Sequence, residues 1–320
     1  MVIVCLTGCS TARRAMVDEK ISISQLKLIG EYDIPHNLSY NGTTIGGLSG
    51  IDYDSKNDVY YLISDDRSAI NSARFYTAKI FFADQKIDSV VFIQVTTLLQ
   101  ENGTAYPNSK QDAARTPDPE ALRFSPLTGQ MVWTSEGERI VRGKDTVLGN
   151  PAITLISAEG KFIDTFSLPL NLLMQATEKG PRQNGVLEGM SFANGFKTLY
   201  VNVEEPLYED GPRAGITDNN AWIRIYRFDV ASKKNTAQYA YKLDPVAYPP
   251  TPAGAFTING VPDILSVGND RLLVMERSFS TGRLPCTVKI FLTDLHNATD
   301  ISSNPSLKQI AAARPLTKKL

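Results

Sequence analysis

Histidine is nearly missing from this chain: only His36 and His296 occur in 320 residues, and neither stands in a metal-ligand spacing. That excludes an HExxH metallohydrolase and a Cys/His zinc site. Cysteine is as scarce, with Cys5, Cys9 and Cys286. Charge of one sign is also lacking: the net charge is −1, so the chain carries no electrostatic footprint for nucleic acid or an anionic membrane surface. No stretch approaches the roughly eighteen apolar residues of a transmembrane helix. No glycine-rich phosphate loop opens a helix. The run Gly47-Leu48-Ser49-Gly50 is one residue short of a nucleophile elbow and lacks the strand–Ser–helix context. What remains is an ordinary soluble composition, long enough for one large or two ordinary domains.

The chain does contain a repeated frame. Residues 187–205, LEGMSFANGFKTLYVNVEE, carry Glu188 and Glu204 sixteen positions apart with an apolar alternation between them. Residues 119–137, PEALRFSPLTGQMVWTSEG, repeat the spacing with Glu120 and Glu136. Residues 48–66, LSGIDYDSKNDVYYLISDD, place Ser49 first and Asp65 last, and a shortened copy at 262–277 runs from Asp263 to Glu276. The copies begin at 49, 120, 188 and 263, a period of about 70 residues.

Each repeat resolves into short strands rich in β-branched and aromatic residues, separated by Gly, Asn, Asp and Pro. The first gives strands at 50–53, 59–63, 74–81 and 89–95. The second gives 121–124, 130–134, 152–157 and 162–168. The third gives 189–192, 198–203, 223–228 and 238–243, and the fourth 264–267, 271–275 and 287–292. Asn194-Gly195, Glu159-Gly160 and Gly268-Asn269-Asp270 are hairpin signals. The expected fold is all-β, a β-propeller of four-stranded antiparallel blades, five or six in number, with the strand at 25–35 helping to close the last blade. An open sandwich would not require the sixteen-residue frame to recur. Long connections at 99–119, 170–186, 205–221 and 245–256 enter or leave the acid-bearing strands and are expected to build one face, with a short helix at 171–178.

The recurring acids are the chemistry on offer. At equivalent places around a propeller axis, Glu120 and Glu188 converge, as do Asp65, Glu136, Glu204 and Glu276. Like charges so placed raise one another's pKa unless a cation neutralises them. Oxygen ligands without His or Cys suit calcium or magnesium rather than zinc. Arg67, Arg182 and Arg277 lie beside these motifs, as counter-charge or as bidentate partners of an anionic substrate. The plainer reading is that the acids bond backbone amides and arginines between blades.

At the N-terminus, MVIVCLTGC resembles the lipobox of bacterial lipoproteins, with Cys9 as the lipidated residue, although no basic segment precedes the apolar run. The expected organisation is a leader at 1–9, a tether at 10–24 and the propeller at 25–320. Attachment is then through a lipid rather than a membrane span, and Cys286 is left without a disulfide partner.

GGLSGIDYD and SDDR (within 46–67), DPEALRF (118–124), GPRQNGVLEGMSF (180–192) and MERSF (275–279) resemble the bacterial "esterase-like activity of phytase" family over about residues 25–313. The resemblance implies a phytase-like propeller, secreted or lipid-anchored at the cell envelope, that hydrolyses a small phosphate or carboxylic ester. By loose kinship with calcium-dependent propeller phytases, Glu120, Glu188 and Glu204 are the catalytic candidates. Asp65, Glu120, Glu136, Glu188, Glu204 and Glu276 are candidate ligands for Ca2+ or Mg2+, and Arg67, Arg182 and Arg277 candidate substrate contacts. The alternative is a non-catalytic ligand- or protein-binding propeller of the envelope; a two-carboxylate glycosidase is a third class.

Overall fold

The computed structural model describes residues 23–309 and 313–320. The expected leader, Cys9 and nearly all of the tether lie outside them. A two-residue hairpin, β1 (Ser39–Tyr40) and β2 (Thr43–Thr44), precedes the first sheet. That sheet is β3 (Leu48–Asp54), β4 (Val59–Ser64), β5 (Arg74–Ala83) and β6 (Lys86–Thr97), paired antiparallel in chain order. The short helix α1 (Ser109–Asp112) follows. The second sheet starts with β7 (Pro119–Ser125) and β8 (Gln130–Ser135). A side hairpin, β9 (Glu138–Ile140) with β10 (Val147–Gly149), interrupts it before β11 (Ala152–Ile156) and β12 (Phe162–Thr165). The third sheet is β13 (Leu187–Ala193), β14 (Thr198–Val203), β15 (Trp222–Asp229) and β16 (Lys234–Lys242). The fourth has three strands, β17 (Thr257–Ser266), β18 (Arg271–Ser280) and β19 (Arg283–Asp294).

The sheets form a β-propeller whose first strands lie side by side: β3 beside β7, β7 beside β13, and β13 beside β17. Glycine permits the approach. A Cβ on Gly50 would stand 2.9 Å from the Glu120 carbonyl oxygen, and one on Gly189 would stand 2.6 Å from the Asp263 Cα. Apolar residues on alternate positions then fill the spaces between blades. Val59, Tyr61, Ile63 and Phe75 meet Leu122, Met131 and Trp133 between the first and second blades. A larger cluster runs through the second, third and fourth, including Val132, Met190, Val201, Tyr226, Val261 and Val274.

Three expectations are corrected. Four blades stand among the described residues rather than five or six. Residues 25–35 form no strand; the extra chain covers existing sheets instead of pairing into a new one. Leu26 lines a cavity of about 260 Å3 with Leu273, Ile290 and Leu292 of the fourth blade, and Gly30 stands against Lys86 and Ile87 of the first. Ile34, Tyr40 and Ile45 then close the outer face of the first blade over Leu62, Tyr76 and Phe92. At the other end, Ile301 N–H and Leu316 N–H donate to the Gln238 and Ala240 carbonyls of β16, at 2.8 and 2.9 Å. The expected helix at 171–178 is also absent: a single 3-10 turn spans Leu170–Leu172, after which Leu173 is extended. Leu172 and Met174 both enter the core, two residues apart rather than at helical spacing.

Candidate functional site

The acids converge through a shared irregularity in three blades. The β3–β4 ladder slips between Leu48 and Gly50, β7–β8 between Pro119 and Leu122, and β13–β14 between Leu187 and Met190. Ser49, Glu120 and Glu188 sit in these bulges, which re-aim side chains at sheet ends. Asp65, Glu136 and Glu204 each follow by one residue the strand partner of the position before the bulge: Ser64, Ser135 and Val203.

In the fourth blade the corresponding slip runs from Gly260, paired with Arg277, to Asp263, paired with Met275. Val261 and Ser278 therefore occupy the two acidic positions, and the frame read from Asp263 to Glu276 is displaced by two residues. Glu276 does not join the cluster. It is 1% exposed and accepts from Tyr241 Oη (2.7 Å), Asn259 Nδ2 (2.7 Å), Asp244 N–H (3.1 Å) and Lys318 Nζ (2.6 Å). Asp263 is held by Arg123 instead.

Asp118, Glu120 and Glu136 each offer an oxygen within 4.8 Å of the others. Ser49 Oγ donates to Glu120 Oε2 at 2.7 Å. Glu136 Oε1 accepts from the Gly185 N–H at 2.8 Å and from the Val186 N–H, both on the next blade. Its Oε2 is buried without a partner. Burial pushes the Glu120 carboxyl up to about 9, and the charge of Glu136 adds to the shift. Glu136 is pushed up to about 8 by burial, against the Val186 amide. Glu188 rises well above the ordinary range through burial and the charges of Glu120, Glu136 and Glu204, with Arg277 opposing. Glu204 is raised by burial against Arg277 and Arg213. Asp118 reaches about 6 by burial despite Arg67, and Asp65 is raised by burial and by Asp66. Glu120 and Glu136, raised above 7, take up protons at neutral pH unless a cation neutralises them.

The arginines divide by what already occupies them. Arg224 is fully buried and bidentate on Asp210, so it is saturated. Arg182 donates to the Pro206 and Gly211 carbonyls, at 2.8 and 2.9 Å, and lies 4.3 Å over the Tyr208 ring. It braces the loop that follows Glu205, leaving little of its donor fork for a substrate. Arg67 is paired with Glu138 at 2.6 Å and stands 3.6 Å from Asp118, as counter-charge. Arg277 meets Glu204 only at 3.4 Å, with its side chain 51% exposed. Arg213 lies 2.8 Å from Glu205 with 44% exposed, yet neither Glu205 oxygen has a well-aligned hydrogen bond. Arg213 and Arg277 both act on Glu204 and are the arginines at this site with donors to offer.

Sequence reasoning left out Asp118, Glu138 and Arg213 as site residues. Asp118 had a signal, since it stands two residues before Glu120 in DPEALRF. Glu138 had a weaker one, two residues beyond Glu136. Arg213 had none, because it reaches the cluster from a loop.

The description Phytase-like, esterase-like activity of phytase, fits residues 43–320 of the chain. The chain belongs to this family. No curated protein matches it at a significant level. Among solved structures it is similar to the exo-β-1,3-galactanase of Phanerochaete chrysosporium bound to galactose, at 14% identity and a TM-score of 0.44, covering 89% of this chain and 52% of that one. The chain thus spans about half the length of that galactanase. It is also similar to the periplasmic gluconolactonase of Pseudomonas aeruginosa, at 8% identity, a TM-score of 0.37 and 86% of each chain. A third is the hydrazine synthase of Kuenenia stuttgartiensis, at 12% identity and a TM-score of 0.34, over 88% of this chain and 69% of that one.

Proposed function

We propose that the chain hydrolyses a small phosphate or carboxylic ester at the cluster of Asp118, Glu120, Glu136, Glu188 and Glu204, tethered to the bacterial envelope by a lipid on Cys9. The observation that carries this reading is the crowding of Asp118, Glu120 and Glu136 within 4.8 Å, with the buried Glu136 Oε2 left unpartnered. An all-carboxylate set fits a hard cation, calcium or magnesium, held by Asp118, Glu120 and Glu136. A cation bound there supplies Lewis acidity and lowers the pKa of water.

The chain's own groups perform the remaining tasks. Arg277 and Arg213, half exposed, bind the anionic group of the substrate. Glu188, whose carboxyl burial shifts toward its protonated form, donates a proton to the departing oxygen. Ser49 fixes the Glu120 carboxylate through its 2.7 Å hydrogen bond. The test is hydrolysis of p-nitrophenyl phosphate and p-nitrophenyl acetate, with melting temperatures measured in EDTA and in millimolar calcium, for the wild type and Glu188→Gln. Turnover of neither ester and no response to calcium would overturn the reading.

A binding propeller is the second reading, and specific bonds favour it. Glu136 is tied to the backbone at the start of the third blade and Glu138 to Arg67 of the first, which is how structural acids join blades. A large loss of stability in Glu188→Gln without any calcium response would support it.

A further inference from the structure

The strand ends around the acidic cluster carry hydroxyls as well as carboxyls, and one hydroxyl is engaged differently from the others. Ser64 Oγ donates to the Gly46 carbonyl at 2.8 Å. Ser135 Oγ accepts from the Asp118 N–H at 3.0 Å, and Ser278 Oγ from the Ala247 N–H at 2.9 Å. All three are buried and serve the backbone. Ser49 is exposed, and among the described residues its hydroxyl has one partner, Glu120 Oε2 at 2.7 Å.

The fold builds this placement. Ser49 occupies the bulge of the first blade, the position that Glu120 and Glu188 hold in the second and third. Gly50 lets β3 close on β7, since a Cβ there would also meet the Ala121 Cα at 3.1 Å. The chain has no nucleophile elbow, whose task is to expose a serine on a sharp turn; here the bulge exposes it. A hydroxyl and a proton acceptor within roughly 2.6–3.2 Å of each other form the signature of an activated nucleophile. The acceptor is itself set in the cluster, with oxygens of Asp118 and Glu136 within 4.8 Å.

We infer that Ser49 is a catalytic nucleophile, acylated by a carboxylic ester while Glu120 takes its proton. Turnover in this form rests on the hydrolase reading given above, whereas the nucleophilicity of Ser49 can be read without turnover. In the first step Ser49 Oγ bonds to the ester carbonyl carbon and its proton passes to Glu120 Oε2. The bond from that carbon to the alcohol oxygen breaks, and the departing oxygen takes the proton of Glu188. In the second step water attacks the acyl carbon and gives a proton to Glu188, while Ser49 recovers its own from Glu120 as the acid leaves. Ester and water become acid and alcohol, with every group restored. An uncharged carboxylic ester also enters a ring of carboxyls without the repulsion that a phosphate dianion meets.

Di-isopropyl fluorophosphate tests this on the whole chain, with and without millimolar calcium. A nucleophilic serine oxygen displaces fluoride from its phosphorus, and mass spectrometry of the intact chain and its peptides counts and places the adduct. One adduct per chain, on Ser49, is expected. Ser49→Ala removes only an exposed hydroxyl, so it should keep the native melting temperature and lose the adduct. Glu120→Gln should slow labelling by about a hundredfold; if that variant fails to fold, the wild type and Ser49→Ala decide between them. No adduct on Ser49 in either condition, an unchanged labelling rate in folded Glu120→Gln, or p-nitrophenyl acetate turnover unchanged in Ser49→Ala overturns the inference. Labelling of Ser49 without turnover of any ester would sink the hydrolase reading and keep the nucleophile. Turnover with Ser49 unlabelled would do the reverse.

Discussion

Arg123 on β7 grips Asp263 on β17 through both carboxylate oxygens, at 2.7 and 2.9 Å, and so ties the second blade to the fourth. The same guanidinium donates to the Ile51 carbonyl on β3 at 3.1 Å. One side chain thereby links three blades. Arg123→Ala should lower stability by about 1.5–3 kcal/mol, the range for hydrogen bonds to charged groups, read as a shift of the urea midpoint. An unchanged midpoint would mean that the blades are held by their apolar interfaces alone.

Lys318 places its ammonium 2.6 Å from Glu276 and 2.5 Å from Asp244, fastening the C-terminal segment to the third and fourth blades. Lys318→Ala leaves the Glu276 carboxylate buried without its cation, a loss of about 3 kcal/mol. Because Glu276 stands outside the acidic cluster, the variant should keep any response of the melting temperature to calcium. Loss of that response would return Glu276 to the metal site.

The stability of the metal-free protein should fall as pH rises. Burial raises Asp118 to about 6, Glu205 to about 7, Glu136 to about 8 and Glu120 to about 9, from 3.8 for the aspartate and 4.5 for the glutamates. The folded state therefore holds more protons than the unfolded state between those values, and stability declines across roughly pH 4–9 before levelling. Melting temperatures in EDTA across this range check the sign. Calcium should flatten the decline by binding the ionised native cluster; a profile that rises with pH would contradict the raised values.

Glu188→Gln should reduce ester turnover by about a hundredfold or more if the carboxyl transfers a proton. Arg277→Gln should act mainly on KM for an anionic ester, with little effect on a neutral one. If calcium binds at a hundred times its dissociation constant, the wild type gains about 2.7 kcal/mol. Calorimetry on both variants separates loss of the cation from loss of the proton donor.

The alternation of apolar residues and the frame of paired acids decided by themselves that the chain is a propeller of antiparallel blades. These signals are local: strand period, turn chemistry and the spacing from one strand end to the next lie within a few residues. They also placed Glu120, Glu136, Glu188 and Glu204 correctly in equivalent positions. Tertiary structure decided what depends on register and on contacts between blades. A ladder slip in the fourth blade puts Val261 and Ser278 where acids were expected; the shortened spacing was its one local sign, masked because Asp263 and Glu276 keep the right residue types two positions away. Arg213 arrives from a loop whose path is set by Arg182 and Tyr208. The blade count was likewise a tertiary matter: residues 25–35 lie against the first and fourth sheets, and Ile301 and Leu316 bond to the edge strand of the third, so these segments add no blade of their own.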